Sequence, residues 1–272
     1  MSQTALDRII AYKRDEVAAL KRQRSEQSLL ADTSDASPVR AFRNALIDIA
    51  SVGENALICE IKRKSPSAGD ILMGADPAQI ARDYEAGGAA CLSVLTDGPS
   101  FGGSLEDFTR VRKAVSLPML RKDFMIDTIQ VIEARVHGAD AILVILSVLD
   151  DEQALDLIHA AQNLNMDILV ETHDEAERDL HSFPTRRSSD LGIPLVGVNN
   201  RNLKLMKTDL ATTETLAPLL PDDFELVSES GISEVGDIQR LRKTGARRFL
   251  IGESLMKRQD REQICRNLRN AI

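Results

Sequence analysis

Cysteine is scarce in this chain of 272 residues, and the three that occur are far apart. Cys59, Cys91 and Cys265 are too few and too scattered for the disulfide framework of a small secreted protein or for a zinc site. All three lie in apolar or helical surroundings, which is typical of thiols in a reducing compartment. Long apolar runs are also absent: the longest is Ala141–Leu146, whereas about 20 residues are needed to cross a bilayer.

Positively charged residues are outnumbered in this chain. It has 34 lysines and arginines against 42 aspartates and glutamates, so the formal net charge is -8. This balance argues against a general surface for nucleic acid or anionic membranes, and an anionic substrate would need a local basic site. The N-terminal stretch lacks an apolar core of signal-peptide length. We therefore expect a soluble, cytoplasmic protein with no nucleic-acid and no membrane partner.

Short apolar runs alternate with helical patterns from residue 56 onward, which is typical of βα units around a parallel sheet. We predict eight strands, over Ala56–Lys62, Cys91–Thr96, Met119–Lys122, Ala141–Leu146, Ile168–Glu171, Pro194–Asn199, Glu225–Ser228 and Arg248–Ile251. We predict helices between and after them, over Asp76–Ala86, Leu105–Val115, Thr128–His137, Asp151–Leu164, Leu210–Leu219, Val235–Thr244 and Arg261–Asn270. Order and count favour a single (β/α)8 TIM barrel over an open doubly wound sheet.

Two helical patterns precede the first predicted strand. Leu6–Lys21 has apolar residues at roughly helical spacing, and Val39–Ile49 resembles a second, shorter helix. The polar stretch Arg22–Ser37 between them is predicted to be a linker. We therefore predict that residues 1–50 form an N-terminal helical extension of a catalytic barrel over residues 51–272.

One segment departs from the barrel pattern. His181–Asp190 (HSFPTRRSSD) falls where a helix should connect the fifth and sixth strands, yet Pro184 would break that helix and no apolar stripe is present. The segment is either a solvated insertion or foreign sequence from a frameshift or library artefact. We favour the artefact, because the flanking segments would join into a plausible helix end without it. Its position predicts the bottom face of the barrel, away from the chemistry.

Polar side chains follow the predicted strands at their carboxyl ends, which meet at one rim of a barrel. At this rim we place Glu60, Lys62, Lys122, Glu171, Asn199, Arg201, Glu229 and Ser230. Glu60 and Lys62 share a strand face, as a structural ion pair or as a pair that contacts substrate. Desolvation would lower the pKa of Lys122 and suit it to proton donation, unless it pairs with Asp123. A half-buried Glu171 would have a raised pKa and act as a base, unless it caps the following helix.

Turns rich in small residues follow three of the predicted strands. They are the loop with Ser65, the segment Ser228–Ile232 (SESGI) and the segment Ile251–Ser254 (IGES). Small residues let backbone amides approach an anion, and barrels often bind phosphate after the seventh and eighth strands. Each turn alone would also fit a tight connection. Their combined positions predict a phosphate site.

The order and spacing of these segments resemble one enzyme family. EIKRKSPSAG, SFGGS, LRKDF, LVET, GVNNR, SESGI and IGESLM occur in this order, and the resemblance is to indole-3-glycerol phosphate synthases. It runs from the N-terminal LDRIIAYKRDEVAALK nearly to the end of the chain, and EIKRKSPS together with LRKDF is highly specific. Only His181–Asp190 departs from the family, by adding length between the fifth and sixth strands.

The resemblance implies a carboxy-lyase of tryptophan biosynthesis. The reaction would be ring closure of 1-(2-carboxyphenylamino)-1-deoxyribulose 5-phosphate, with loss of carbon dioxide and water and with no cofactor or metal. By this likeness Lys122 is the general acid at the ketone oxygen, and Glu171 handles protons in the later dehydration. Lys62 would interact with the substrate carboxylate and assist proton transfer, with Glu60 orienting it.

The same resemblance implies the residues that bind the substrate. Asn199 and Ser230 would hold the hydroxyls and the anthranilate end, Glu229 would support the polar network, and Arg201 would lie nearby. The phosphate would contact the small-residue turns, at Ser65, Gly231, Gly252 and Glu253, the last two through backbone amides. Apolar walls for the aromatic ring are predicted at Phe101, Leu120, Phe124, Leu143 and Ile145, with ordinary barrel core as the alternative for the last two. In the family the N-terminal helix folds over the rim.

Two other functions are compatible with a phosphate-binding barrel. A phosphoribosylanthranilate isomerase would use a cysteine and an aspartate, but Cys59 is the only cysteine near the first strand's end and it should face away from the site. A non-catalytic sensor of a phosphorylated metabolite would not need acid and base groups, and Lys62, Lys122 and Glu171 are all present. The synthase is therefore favoured. The oligomeric state stays open between a monomer and an association with other tryptophan-pathway enzymes.

Overall fold

Parallel strands and helices alternate along the chain in a computed structural model that describes residues 4–173, 195–202, 207–221 and 223–272. The barrel strands are β1 (Ala56–Ile61), β2 (Cys91–Leu95), β3 (Met119–Lys122), β4 (Ala141–Ile145), β5 (Asp167–Thr172), β6 (Leu195–Asn199), β7 (Glu225–Glu229) and β8 (Arg248–Ile251). Neighbouring strands pair in parallel in sequence order, and β8 pairs with β1, so the barrel closes. The predicted (β/α)8 barrel is confirmed.

Helices surround the barrel and precede it. They are α1 (Ala5–Gln23), α2 (Glu26–Asp32), α3 (Phe42–Ser51), α4 (Pro77–Ala86), α5 (Gly98–Phe101), α6 (Leu105–Ala114), α7 (Thr128–Val136), α8 (Asp151–Asn163), α9 (Ala211–Leu216), α10 (Val235–Arg242), α11 (Glu253–Met256) and α12 (Arg261–Arg269). Short 3-10 turns cover Thr33–Asp35, Leu146–Val148 and Ala217–Leu219. Two antiparallel pairs, Lys64–Ser65 with Gly69–Asp70 and Arg201–Asn202 with Lys207–Thr208, lie in loops after β1 and β6. No helix within the described ranges is long and apolar enough to span a membrane.

Alternate strand residues point into the barrel or toward the helices, as the period of two requires. On β1, Ile58 packs inside with Leu120 and Leu169, whereas Leu57 and Cys59 pack against the helices. The interior below the rim is therefore filled by side chains. Polar groups on the inward face come together only at the carboxyl ends of the strands.

Helices of the N-terminal extension lie at both ends of the barrel. At the amino ends of the strands, the backbone N–H of Arg43 on α3 donates to Asp167 at 2.8 Å, and Phe42 is fully buried. At the carboxyl ends, Leu6 and Ile9 of α1 line the cavity described below. The division into an extension and a barrel at residue 50 stays a prediction.

The prediction of a polar linker over Arg22–Ser37 was wrong, because α2 forms within it. Ser25 caps this helix by accepting a hydrogen bond from the backbone N–H of Ser28 at 3.1 Å. Leu29 then buries its side chain against α7. A cap and one buried leucine are thus enough to dock a short helix on the barrel. The segment His181–Asp190 lies outside the described residues.

Candidate active site

Lys122 ends β3 between two carboxylates. Its Nζ donates to Glu171 Oε2 at 2.5 Å and to Glu229 Oε2 at 2.9 Å. Glu171 lies on β5 and Glu229 on β7, and both are almost completely buried. Alternate strands of a barrel contribute side chains to the same layer, which brings these three together. We call Lys122, Glu171 and Glu229 the triad of this candidate site.

Charges within the triad reverse the pKa directions expected from sequence. Burial favours a lower pKa for Lys122, but the carboxylates of Glu171 and Glu229 raise the pKa above its ordinary value. Burial favours a higher pKa for Glu171, but Lys122 and His173 hold the pKa well below the usual carboxyl range. The expected lowered pKa of Lys122 and raised pKa of Glu171 were therefore wrong. Both predictions considered burial without the partner that each group meets across the barrel.

Glu229 holds its proton more tightly than an ordinary carboxyl group. Burial raises its pKa to about 8, and the neighbouring charge of Glu171 adds to the effect, while Lys122 opposes it. Its second oxygen, Oε1, has no hydrogen-bond partner among the described residues. At neutral pH the triad therefore holds a charged ammonium, an ionised Glu171 and a protonated Glu229. An uncommitted buried oxygen of this kind can bind a substrate hydroxyl.

Asp123 does not pair with Lys122, which excludes that alternative. It forms ion pairs with Lys13 at 2.8 Å and with Arg121 at 3.2 Å instead. The triad carboxylates are thus the partners of Lys122. Glu171 contacts a second group as well, because its Oε1 lies 3.2 Å from His173 Nε2.

Glu60 and Lys62 pair at the end of β1, with Lys62 Nζ 2.6 Å from Glu60 Oε1. The pair borders the same cavity as the triad, so it is accessible to a ligand. Gly252, directly after β8, is required for this arrangement, because a Cβ there would collide with the Glu60 carboxylate. The glycine of the IGES turn therefore makes room for a charged side chain of the site.

One cavity at the carboxyl rim has a polar and an apolar side. The polar side is formed by Glu60, Lys62, Lys122, Glu171, Asn199, Arg201, Glu229 and Ser230. The apolar side includes Phe101, Phe124, Leu143 and Ile145. The rings of Phe101 and Phe124 lie 6.2 Å apart between centroids, at an interplanar angle of 36°. An aromatic substrate would thus meet rings on one side and charged groups on the other.

A second cavity adjoins the first at the predicted phosphate turns. Gly231, Gly252 and Glu253 border it, together with the cations Lys62, Arg201 and Lys257. Lys257 Nζ lies 2.7 Å from Glu253 Oε1, and Arg201 Nη2 lies 3.4 Å from Glu253 Oε2. The glutamate charge is thereby balanced by two cations. Although the chain is acidic overall, the cations around this cavity provide a local site that suits an anion.

Ser65 and Leu120 are not brought to either cavity. The Ser65 hydroxyl accepts a hydrogen bond from the backbone N–H of Ala68 at 3.1 Å and is buried within its own loop. Leu120 faces the filled barrel interior one layer below Lys122 and is fully buried. For Leu120 the period of two indicated the correct face but not the depth along the strand.

Several residues of the site were missed by sequence reasoning. The cavity is also lined by Leu6, Ile9, Pro66, Leu95, Asp123 and Leu250, and His173 contacts the triad. Leu6 and Ile9 belong to the apolar stripe of α1, the helix that the family resemblance places over the rim, but neither residue was predicted to line the cavity. His173 lies two residues after Glu171, so the strand period would have placed it on the same face. No cluster of His, Cys, Asp or Glu in the described ranges could hold a metal ion.

Comparison with known proteins assigns the chain to one family. A family model described as indole-3-glycerol phosphate synthase matches residues 6–268. The chain belongs to the indole-3-glycerol phosphate synthase family. An indole-3-glycerol phosphate synthase of Hyphomonas neptunium is 65% identical over 255 residues, which cover 94% of each chain. One from Rhodospirillum rubrum is 50% identical over 247 residues, covering 91% of this chain and 92% of the other.

Among solved structures, a 3-hexulose-6-phosphate synthase superposes with a TM-score of 0.59 at 22% identity, covering 80% of this chain and 99% of the other. This likeness supports the barrel fold alone. The match to indole-3-glycerol phosphate synthases is more specific, because that family model covers every barrel strand and all of α1 except Ala5.

Gly197 on β6 leaves the space that Glu229 occupies. A Cβ at this position would collide with Glu229 Oε1. We expect Gly197→Ala to displace the carboxyl from Lys122 and to lower kcat/KM for indole formation by about 10²-fold, since small misplacements can cost this much. Gly74→Ala is the matched control, because nothing lies within 4 Å of a Cβ there. Equal activity of the two variants would show that the position of Glu229 is unimportant.

Proposed function

We propose that this chain converts 1-(2-carboxyphenylamino)-1-deoxyribulose 5-phosphate to indole-3-glycerol phosphate, releasing carbon dioxide and water, in the cytoplasm. The observation that carries the proposal is that the triad and two aromatic rings line a single cavity. Acid and base groups alone would suit many barrel enzymes, and family membership narrows the chemistry to this ring closure.

Lys122 acts in the first step as the general acid. The aromatic carbon that bears the carboxylate attacks the ketone carbon, and the ketone oxygen takes up the negative charge. The Lys122 ammonium, which the neighbouring carboxylate of Glu171 keeps charged, stabilises this oxygen and gives it a proton. The new carbon–carbon bond closes the five-membered ring, and the former ketone becomes a hydroxyl.

Lys62 and Glu60 act on the carboxylate and in proton transfer. The ammonium of Lys62 binds the substrate carboxylate, and Glu60, 2.6 Å away, orients it. Carbon dioxide then leaves, and its bonding electrons restore the aromatic ring. Lys62 next supplies the proton with which the hydroxyl leaves as water. Glu171, ionised beside Lys122, takes the proton from the neighbouring methylene carbon, which completes the indole.

The remaining groups hold the substrate in the orientation that these steps need. Asn199, Ser230 and the free oxygen of Glu229 bind hydroxyls. The phosphate binds in the adjoining cavity, among the turns of Gly231 and Gly252 and near Arg201 and Lys257. The ring lies between the aromatic walls.

A direct assay tests the proposal. Purified protein is incubated with the substrate, without added cofactor or metal, and indole fluorescence is followed. We expect indole-3-glycerol phosphate to form. Absence of product together with isomerisation of phosphoribosylanthranilate would favour the second function considered from sequence. Against that function, the Cys59 thiol is fully buried on the helix side of β1, 3.7 Å from Cys265 Sγ.

The raised pKa of Glu229 predicts a pH dependence. Below about pH 8 the carboxyl is protonated and the triad is neutral. Above it the triad carries a net negative charge, which repels an anionic substrate. We expect kcat/KM to fall as pH rises through about 8, and Glu229→Gln, which stays neutral, to remove this step.

The stability of the folded state should also depend on pH through Glu229. The folded state holds this proton more tightly than the unfolded state, whose pKa is 4.5. The contribution of Glu229 to stability is therefore greatest at low pH and falls between about pH 4.5 and 8. A pH–rate profile of the wild type that is flat from pH 7 to 9 would contradict the raised pKa of Glu229, on which both pH predictions rest.

A further inference from the structure

Lys13 lies on the buried face of α1, and its ammonium joins the ends of two barrel strands. Lys13 Nζ is 2.8 Å from Asp123 Oδ1 and 3.1 Å from Asp97 Oδ2. The lysine side chain is 2% exposed, and both aspartates are buried just after β3 and β2. A cation buried to this extent is tolerated only where its partners are closely placed. The contact therefore holds α1 to the rim at one defined position.

Each of the two aspartates also holds one aromatic wall of the cavity. Asp97 Oδ1 accepts a hydrogen bond from the backbone N–H of Ser100 at 2.8 Å and so caps α5, whose last residue is Phe101. Asp123 Oδ1 accepts a hydrogen bond from the backbone N–H of Phe124 at 2.8 Å. The ammonium of Lys13 thus contacts both aspartates that hold the backbone next to Phe101 and Phe124.

The helix that carries Lys13 closes the same end of the cavity. Leu6 and Ile9 lie on the same buried face of α1 and line the cavity. Ile9 is one turn before Lys13, so the position of the ammonium determines where Leu6 and Ile9 lie. We call these two side chains the apolar roof of the cavity. Lys13 itself is not among the residues that line the cavity.

We propose that Lys13 is a positioning residue for the apolar end of the cavity: by bridging Asp97 and Asp123 beneath α1, it sets the aromatic walls and the roof around the ring of the substrate. The inference rests on the proposed function. Ring closure requires the aromatic carbon to approach the ketone carbon in one orientation. Misplaced aromatic walls should therefore slow the reaction without lowering the affinity for the phosphate group.

A second lysine of α1 provides a matched control. Lys21 Nζ forms an ion pair with Asp127 at 2.6 Å, so it also links α1 to a barrel loop. That pair is partly exposed, with side-chain exposures of 46% and 24%, and neither residue borders the cavity. If any ion pair under α1 were sufficient, removal of either lysine should have the same effect.

The test compares Lys13→Met, Lys13→Arg and Lys21→Met. For each variant we would measure kcat and KM, and inhibition by the product indole-3-glycerol phosphate and by glycerol 3-phosphate, which lacks the ring. We expect Lys13→Met to lower kcat/KM by about 10²-fold, the size of effect that a small misplacement produces. Product inhibition should weaken, and inhibition by glycerol 3-phosphate should be unchanged. Lys13→Arg should recover most of the loss, and Lys21→Met should resemble the wild type.

Three results would overturn the inference: wild-type kinetics for Lys13→Met, an equal loss of inhibition by both compounds, or the same defect in Lys21→Met. If Lys13→Met does not fold, Tyr12→Phe decides. The Tyr12 hydroxyl donates to Asp97 at 2.7 Å and lies 2.9 Å from Ser100 Oγ, so its removal loosens one wall and leaves the buried charges paired. It should give a smaller loss of the same pattern, and no change would contradict the proposal. A wild-type protein that forms no indole would instead contradict the proposed function.

Discussion

Replacing Lys122 with alanine is expected to lower kcat by about 10²–10⁴-fold, the usual contribution of a general acid. The reason is that Lys122 lies between Glu171 and Glu229, with its Nζ within hydrogen-bonding distance of both carboxyl groups. Without it no ammonium faces the ketone oxygen as ring closure places charge there. Because ring closure comes first, release of carbon dioxide from substrate labelled in its carboxylate should fall by the same factor as indole formation.

The folded state should survive this substitution. Glu229 is already protonated at neutral pH, so only the charge of Glu171 loses its main partner, and His173 remains beside it. Circular dichroism should show a folded barrel with a lowered melting temperature. Lys113→Ala, at an exposed position of α6, is the control and should behave as the wild type.

Lys122→Arg separates proton donation from charge alone. Arginine keeps the positive charge but does not give up its proton in proteins. We expect it to recover little of the activity that alanine loses. Near-normal turnover of the alanine variant would refute the role of general acid, and near-normal turnover of the arginine variant would reduce that role to electrostatic stabilisation.

The barrel could be predicted closely from sequence because its strands are short apolar runs separated by helical patterns. β3, for example, has the predicted bounds Met119–Lys122. The site was predicted to lie at the strand ends for the same reason, since eight parallel strands bring their carboxyl ends to one rim. α2 was missed because only Leu29 of its seven residues is buried, and one leucine gives no periodic signal.

The electrostatics of the site could not be predicted in this way. The pKa of Lys122 depends on two carboxylates 49 and 107 residues away in the chain, and only the closed barrel brings them to within hydrogen-bond distance. Lys13 was not predicted either. It lies in an amphipathic helix with many exposed charged residues, and its partner Asp123 lies 110 residues further along the chain. Pairing across such separations is set by packing and leaves no local pattern.

Replacing Glu171 with glutamine should lower turnover by about 10²–10⁴-fold through a different step. The amide has the size of the carboxylate and can still accept a hydrogen bond from Lys122, which lies 2.5 Å from Oε2. It cannot accept the proton from the methylene carbon, so dehydration should stall after ring closure and decarboxylation. Labelled carbon dioxide should therefore appear faster than indole fluorescence in a single turnover.

This order of events distinguishes the two members of the triad. In Lys122→Ala both signals should be slow together, whereas in Glu171→Gln the first should run ahead of the second. Glu152→Gln, at an exposed position in the first turn of α8, is the matched control and should leave both signals unchanged. Equal slowing of both signals in Glu171→Gln would mean that the carboxylate acts before decarboxylation, by keeping Lys122 charged for ring closure, and would remove it from the role of final base.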